Sequence, residues 1–261
     1  MLKKRLIFAL LWDEGQFSLS RNFRLQHVGD LAWLTEKYNF TTIASSIDEL
    51  ALIDVSRSPR QSEGFLDVVS KLASSFHMPL SVGGGVTSID VVDSLLQAGA
   101  DKVILNSAFQ SDNDQLFLMR EKYGKQCLVA SIDVRKVDGN YLAFGDDGTC
   151  ILGSLAAHIG ERVADYAGEI IINSIDRDGT GQGLDFEILK YVPNDCESQI
   201  VLMGGVGTPS HIVEGLKASR VDAVATANLL NFIGTGLLEA RLACDDAGIA
   251  LPRRLPVEAV L

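Results

Sequence analysis

The chain repeats itself, and that repeat limits its fold more than any other feature. Leu80-Ser-Val-Gly-Gly-Gly-Val-Thr-Ser88 is echoed by Val201-Leu-Met-Gly-Gly-Val-Gly-Thr-Pro209, so that Gly83-Gly84 and Gly204-Gly205 stand 121 residues apart. Asp101 and Val103 match Asp222 and Val224 at the same offset, and Ile53-Asp54 matches Ile175-Asp176 at 122. Around these anchors run short apolar segments, each ending in a Gly or Asp turn and followed by a stretch of helical period. The predicted strands are Leu6–Leu11, Leu50–Val55, Leu80–Val82, Lys102–Leu105, Cys127–Ile132, Glu169–Asn173, Ile200–Met203 and Ala223–Thr226. Predicted helices include Ile89–Ala98 and Ile212–Ala218. Eight alternating βα units in 261 residues call for a closed α/β (βα)8 (TIM) barrel with a two-fold half-barrel repeat. The expected organisation is a single barrel over residues 1–261, with half-barrels of about 1–123 and 124–246 and a loose tail from 247 to 261.

One insertion interrupts the pattern. Between Lys136 and Cys150 the turn signals Asp138-Gly139-Asn140 and Gly145-Asp146-Asp147-Gly148 flank Tyr141-Leu-Ala-Phe144, which predicts a small hairpin at the rim after strand five.

Composition narrows the chemistry. A hydrophobic fraction of 47% with only 7% aromatics implies an aliphatic core around parallel strands. The formal net charge of −11 repels polyanions, so neither nucleic acid nor an acidic membrane is an expected partner. Four cysteines (Cys127, Cys150, Cys196, Cys244) and four histidines (His27, His77, His158, His211) are scattered without metal-ligand spacing. No metal and no cofactor are expected, and the cysteines read as reduced packing residues. The apolar run after Lys3-Lys4-Arg5 ends at Leu11, too short for a signal-peptide core, so the expected location is cytoplasmic.

The glycine pairs carry the first functional reading. Gly83-Gly84-Gly85 closes strand three and Asn106-Ser107 follows strand four; their repeat mates are Gly204-Gly205 and Ala227-Asn228 after strands seven and eight. Glycine lets the backbone approach a phosphate, and the following helix start offers N–H donors. The rim beyond strands seven and eight is the usual phosphate position in this fold. Two cradles across one rim predict an elongated, phosphorylated small molecule.

Four segments point to a family. Asn173-Ser-Ile-Asp-Arg-Asp-Gly-Thr180, Val82-Gly-Gly-Gly85, Ala98-Gly-Ala-Asp-Lys102 and Gln126-Cys-Leu-Val-Ala-Ser-Ile-Asp133 resemble the cyclase subunit of imidazole glycerol phosphate synthase, over nearly the whole chain from Arg5 to about residue 246. The resemblance implies a bisphosphorylated ribonucleotide bound across the rim, with Asp178, Gly179 and Thr180 joining the phosphate contacts. It also implies a glutaminase subunit docked as a heterodimer on the N-terminal face, meeting Asp101. Ammonia from that partner would enter through a gate formed by Arg5, Glu49, Lys102 and Glu169.

The same resemblance exposes a departure. The family's cyclisation uses two rim aspartates as acid and base, at the ends of strands one and five. Asp133 matches the second, but the first position, which the repeat also places at residue 11, is Leu11. Losing one acid–base group costs on the order of 10²–10⁴ in rate. Leu19 replaces the lysine usual in the loop over the substrate. Leu10-Leu11-Trp12 and His27-Val28-Gly29-Asp30 are similar to a branch associated with nucleotide-sugar amidotransferases, which implies ammonia delivery to a separate enzyme. Strand alternation makes Asp13 a candidate substitute for the missing group. The leading expectation is therefore an ammonia-conducting barrel subunit. An active cyclase of histidine biosynthesis is the alternative, followed by a sugar-phosphate isomerase and a plain binding protein.

Overall fold

A computed structural model describes residues 3–37, 40–57, 60, 63–75, 78–110, 114–227 and 235–252. Among the described residues twelve strands form one sheet: β1 (Arg5–Asp13), β2 (Gln16–Arg21), β3 (Arg24–Gly29), β4 (Glu49–Asp54), β5 (Leu80–Gly83), β6 (Lys102–Leu105), β7 (Leu128–Val137), β8 (Asn140–Gly145), β9 (Cys150–Ser154), β10 (Glu169–Ser174), β11 (Gln199–Met203) and β12 (Ala223–Thr226). Eight of them run parallel in the order β1-β4-β5-β6-β7-β10-β11-β12, and the pairing of β12 with β1 closes the ring. The architecture is the (βα)8 barrel that the eight units called for. Each predicted strand falls on one of these eight, with ends shifted by a few residues.

Strand alternation divides the core into two layers. Leu6, Phe8, Leu10 and Trp12 of β1 face outward into the cluster shared with the helices, whereas Ile7 and Ala9 face the lumen. Lumen positions on neighbouring strands β12, β1 and β4 include the alanines Ala223, Ala225, Ala9 and Ala51 beside Ile7 and Ile53, while the remaining wall carries Ile104, Val129, Ile171, Val201 and Met203. Helices Ile89–Gln97 and Pro209–Lys217 occupy the repeat-related places, each burying an aliphatic stripe; Pro209 starts the second at a position where its missing N–H is not needed.

The repeat is visible in the hydrogen bonds as well. The Asp101 carboxylate accepts from Leu80 N at 2.8 Å, and Asp101 N donates to Leu80 O. Asp222 makes the same exchange with Ile200, and Asp48 makes it with Leu6. Each aspartate thus fixes the start of its strand against the strand before it.

Two antiparallel extensions rise from the rim. β7 runs on past the barrel to Val137, turns through Asp138-Gly139 with φ of 49° and 83°, and returns as β8, which pairs with β9. The predicted hairpin is therefore real and longer than expected, gaining a third strand. The second extension, β2–β3, continues β1 through a turn at Glu14-Gly15 and was not foreseen, because its residues alternate weakly.

The start of the tail departs from the expectation of a loose end. Leu251 is buried, Lys4 N donates to Ala250 O at 3.1 Å, and Arg241 donates to Pro252 O. Residues beyond 252 lie outside the described ones, as does His77. Among the histidines that are described, His158 is buried and His211 Nδ1 accepts from Gly207 N. The cysteines are free: Cys244 is buried, Cys127 and Cys196 are half-buried, and Cys150 is exposed, so packing does not describe all four.

Candidate functional site

The barrel presents chemistry at both ends. At its N-terminal floor the first residues of β1, β4, β6 and β10 point inward and meet. Arg5 contacts Glu49 at 2.6 Å and Glu169 at 2.8 Å; Lys102 contacts the same two carboxylates at 2.8 and 3.1 Å. The four residues form a closed ring of alternating sign. Ser81 donates to Glu49, and Gln199 accepts from Arg5, so the ring is enclosed by polar neighbours. Burial opposes the Arg5 charge, yet Glu169 and Glu49 outweigh it and hold the guanidinium more firmly protonated than usual. Above the ring lies the apolar lumen. Asp101 sits at the exposed margin of this face, with one carboxylate oxygen committed to Leu80 N.

At the C-terminal rim a cavity of about 460 Å³ opens over the strand ends. Leu11, Ile53, Ile104 and Met203 are its apolar residues at the strand ends; Asp133 and Asn173 line it from β7 and β10. Both Asp133 oxygens are held by amides: Asn106 Nδ2 donates to Oδ2 at 3.0 Å and Asn173 Nδ2 to Oδ1 at 3.2 Å. Burial pushes the Asp133 carboxyl up to about 6, against the lowering effect of these two donors, and the nearby charges of Asp147 and Asp178 add to the rise. A carboxyl poised near neutrality suits proton transfer. Leu11, at the end of β1, supplies no second proton carrier.

Asp13 does not fill that gap. β1 passes into the antiparallel β2 ladder at Leu11–Asp13, and the Asp13 carboxylate pairs with His27 Nε2 at 2.7 Å instead of lining the cavity. Strand alternation was sound as far as Leu11, but the hairpin bends the next inward position away.

The predicted phosphate residues separate into two groups. Gly84, Gly85, Asn106 and Ser107 line the cavity, with Gly83 at the end of β5 beneath them. The Asn106 amide, however, is spent on Asp133 and Ser131 O. Of the described residues of the opposite group only Asp178 lines the cavity, and its carboxylate accepts from Ser20 Oγ at 2.5 Å and from Phe23 N at 3.1 Å. Gly179 lies beneath Ser20 and Arg21, where a side chain would collide with backbone, and Thr180 Oγ1 donates to Arg177 O. Gly204 and Gly205 close β11, with Gly205 O accepting from Gly183 N at 2.7 Å. Ala227 packs against the lumen cluster, and Asn228 lies outside the described residues.

Several residues escaped the sequence reading. Arg57 and Arg60, after β4, line the cavity beside Gly84 and Gly85, and Arg60 pairs with Asp147 at 2.7 Å. Two arginines within four positions of an acidic chain were the available signal. Asn173 was legible only as part of a motif. The β2–β3 hairpin contributes Ser20, Phe23 and Leu25 and forms a roof, its tip held by Asn22 Nδ2 donating to Ile175 O at 2.9 Å. Among the described residues, no group of three or more His, Cys, Asp or Glu side chains is placed to hold a metal, and no helix is long and apolar enough to cross a membrane.

A repeat-built (βα)8 barrel with a charged floor and an acid-bearing rim cavity defines the class. The chain belongs to the histidine biosynthesis protein family, whose model matches residues 21–234. It is 40% identical over 245 residues, covering 92% of this chain and 90% of the relative, to a Parasynechococcus marenigrum protein provisionally named imidazole glycerol phosphate synthase subunit hisF2. It is 34% identical over 253 residues, 96% of this chain and 97% of the relative, to the imidazole glycerol phosphate synthase subunit HisF of an Exiguobacterium species.

Proposed function

We propose that this chain is the barrel subunit of an ammonia-transfer assembly, related to the cyclase subunit but without its full acid–base pair. In this reading a glutaminase docks on the N-terminal face near Asp101, ammonia enters between Arg5, Glu49, Lys102 and Glu169, and it leaves at the rim. The acceptor is a phosphorylated small molecule or an amidotransferase that modifies a nucleotide sugar.

The observation that carries the proposal is the closed charge ring on the barrel axis, joined with Leu11 at the rim. A buried ion network is no more stabilising than well-packed apolar residues of similar volume, so stability alone gives no reason for four charges there. Ion pairs of alternating sign pass a small neutral molecule such as ammonia when they part, and the lumen above them is lined by apolar side chains, among them the small Ala9, Ala51, Ala223 and Ala225. The second reading, an active cyclase, is favoured by Asp133, whose carboxyl near 6 is suited to acid–base work.

The test is to mix the chain with its glutaminase and the bisphosphorylated ribonucleotide and follow imidazole formation. Turnover of the unaltered chain at roughly 1 s⁻¹ or more, within the ordinary enzyme range, would establish the cyclase reading instead. Leu11→Asp is expected to raise imidazole formation by on the order of 10² or more. In that background, Lys102→Glu is expected to reduce glutamine-driven turnover while leaving ammonium-driven turnover intact. Equal loss with both nitrogen sources would remove the gate role.

A further inference from the structure

One buried acceptor at the top of the lumen stands without a donor. Asn106 is engaged at both ends: Nδ2 donates to Asp133 Oδ2 at 3.0 Å and to Ser131 O, and Oδ1 accepts from Gln110 Nε2 at 2.9 Å. Asn173 is met at one end only. Its Nδ2 donates to Asp133 Oδ1 at 3.2 Å, while its Oδ1 is buried and has no hydrogen-bond partner among the described residues. The amide does not gain by turning over, because the Asp133 carboxylate accepts and would then face an oxygen. A Cβ at Gly204 would come within 3.3 Å of Oδ1, so the glycine leaves room beside it.

Position gives that oxygen its meaning. Asn173 follows Ile171 by two residues on β10 and shares its lumen-facing side; in the ring it stands between Asp133 of β7 and Met203 of β11. Below it the lumen is apolar, lined by Ile104, Val129, Ile171 and Val201, and above it opens the rim cavity. A buried acceptor without a donor costs the fold its full desolvation, so a native chain keeps one where something else supplies the donor.

We propose that Asn173 Oδ1 is a docking point for ammonia, or another small neutral amine, where the lumen opens into the rim cavity. This rests on the reading of the barrel as an ammonia passage and deepens it by naming the residue that receives the nitrogen. Ammonia has N–H donors and one lone pair, and it attacks through the lone pair. An N–H given to Asn173 Oδ1 leaves the lone pair free toward the cavity, whereas a donor side chain at this place would occupy it. The bond to Asp133 fixes which end of the amide meets the amine.

Hydroxylamine, a neutral amine in mildly alkaline buffer, is the probe. It is titrated into the full chain labelled at its methionine and isoleucine methyls, and the Met203 and Ile171 signals are followed by NMR. The expected result is a saturable shift with a Kd of about 5 mM or weaker, the limit for a ligand of two non-hydrogen atoms. Acetonitrile, of similar size but without a donor, is expected to show no saturation. Asn173→Leu should weaken hydroxylamine about fivefold, the worth of one hydrogen bond. Asn106→Ala, which removes the other amide from Asp133 and leaves Asn173 in place, should bind it as the parent does. No saturation with hydroxylamine in the parent chain, equal binding of acetonitrile, or equal weakening in the two variants overturns the dock. The parent titration decides alone if Asn173→Leu does not fold. No glutaminase is present, so a failed dock is told apart from a failed passage, which shows in the Lys102→Glu comparison.

Discussion

Asp133 shows how one side chain is tuned by its surroundings. Two asparagine amides stabilise its charge, yet burial wins and the carboxyl rises from 3.8 to about 6. A carboxyl raised on folding contributes stability at acid pH, below its unfolded value, and that contribution is lost as pH climbs through about 6. Between pH 4.5 and 7.5 the loss is about 2 kcal/mol. Urea unfolding at those two pH values should show this component in the parent chain and its absence in Asp133→Asn; parallel profiles would mean the carboxylate is better solvated than the cavity wall implies. Leu11, at the end of β1, has no such capacity at any pH.

The β2–β3 hairpin is the element that makes the rim an enclosed space. Its own residues alternate poorly, and β3 is largely exposed, so its strands do not hold themselves. Besides the bond from Asn22 Nδ2 to Ile175 O, Asp178 holds it: the carboxylate accepts from Ser20 Oγ and Phe23 N, and the backbone carbonyl accepts from Asn22 N. Burial pushes the Asp178 carboxyl up, and the bonds from the hairpin work in the opposite direction. Asp178→Ala removes both side-chain bonds and should destabilise the closed hairpin by about 1–3 kcal/mol. Limited proteolysis should then cut near Asn22–Phe23 at least several times faster while the barrel core stays resistant. An unchanged cutting rate would show that packing of Phe17 and Trp12, whose rings meet edge to face at 5.2 Å, suffices to hold it.

At the scale of the whole molecule, closure depends on joining the last helix to the first half of the ring. Arg241, in helix Gly236–Asp246, is buried and bonds Asp48 at 3.0 Å, the Ser46 carbonyl and the Pro252 carbonyl. Asp48 in turn holds Leu6 N at the start of β1. Arg241→Ala removes the guanidinium from that buried carboxylate, which keeps its bond from Leu6 N, and should cost about 1.5–3 kcal/mol, the worth of a hydrogen bond to a charged group. The denaturation midpoint should fall accordingly, whereas a loss below about 1 kcal/mol would mean that water reaches Asp48.

The sequence alone determined the barrel, its eight parallel strands, the hairpin after the fifth and the two glycine turns, because these rest on period, turn chemistry and repetition within short windows. Through the family resemblance, it also pointed to the four floor charges. It did not determine that the roof hairpin exists or that Asp178 serves it, since those contacts join residues about 155 positions apart. Nor did it show Asp13 turning to His27, the amide clamp on Asp133, or the two arginines beside Gly84-Gly85. Each of those depends on which loops meet above the barrel. Local pattern carries no information about such meetings, whose energy is realised only once the ring has closed.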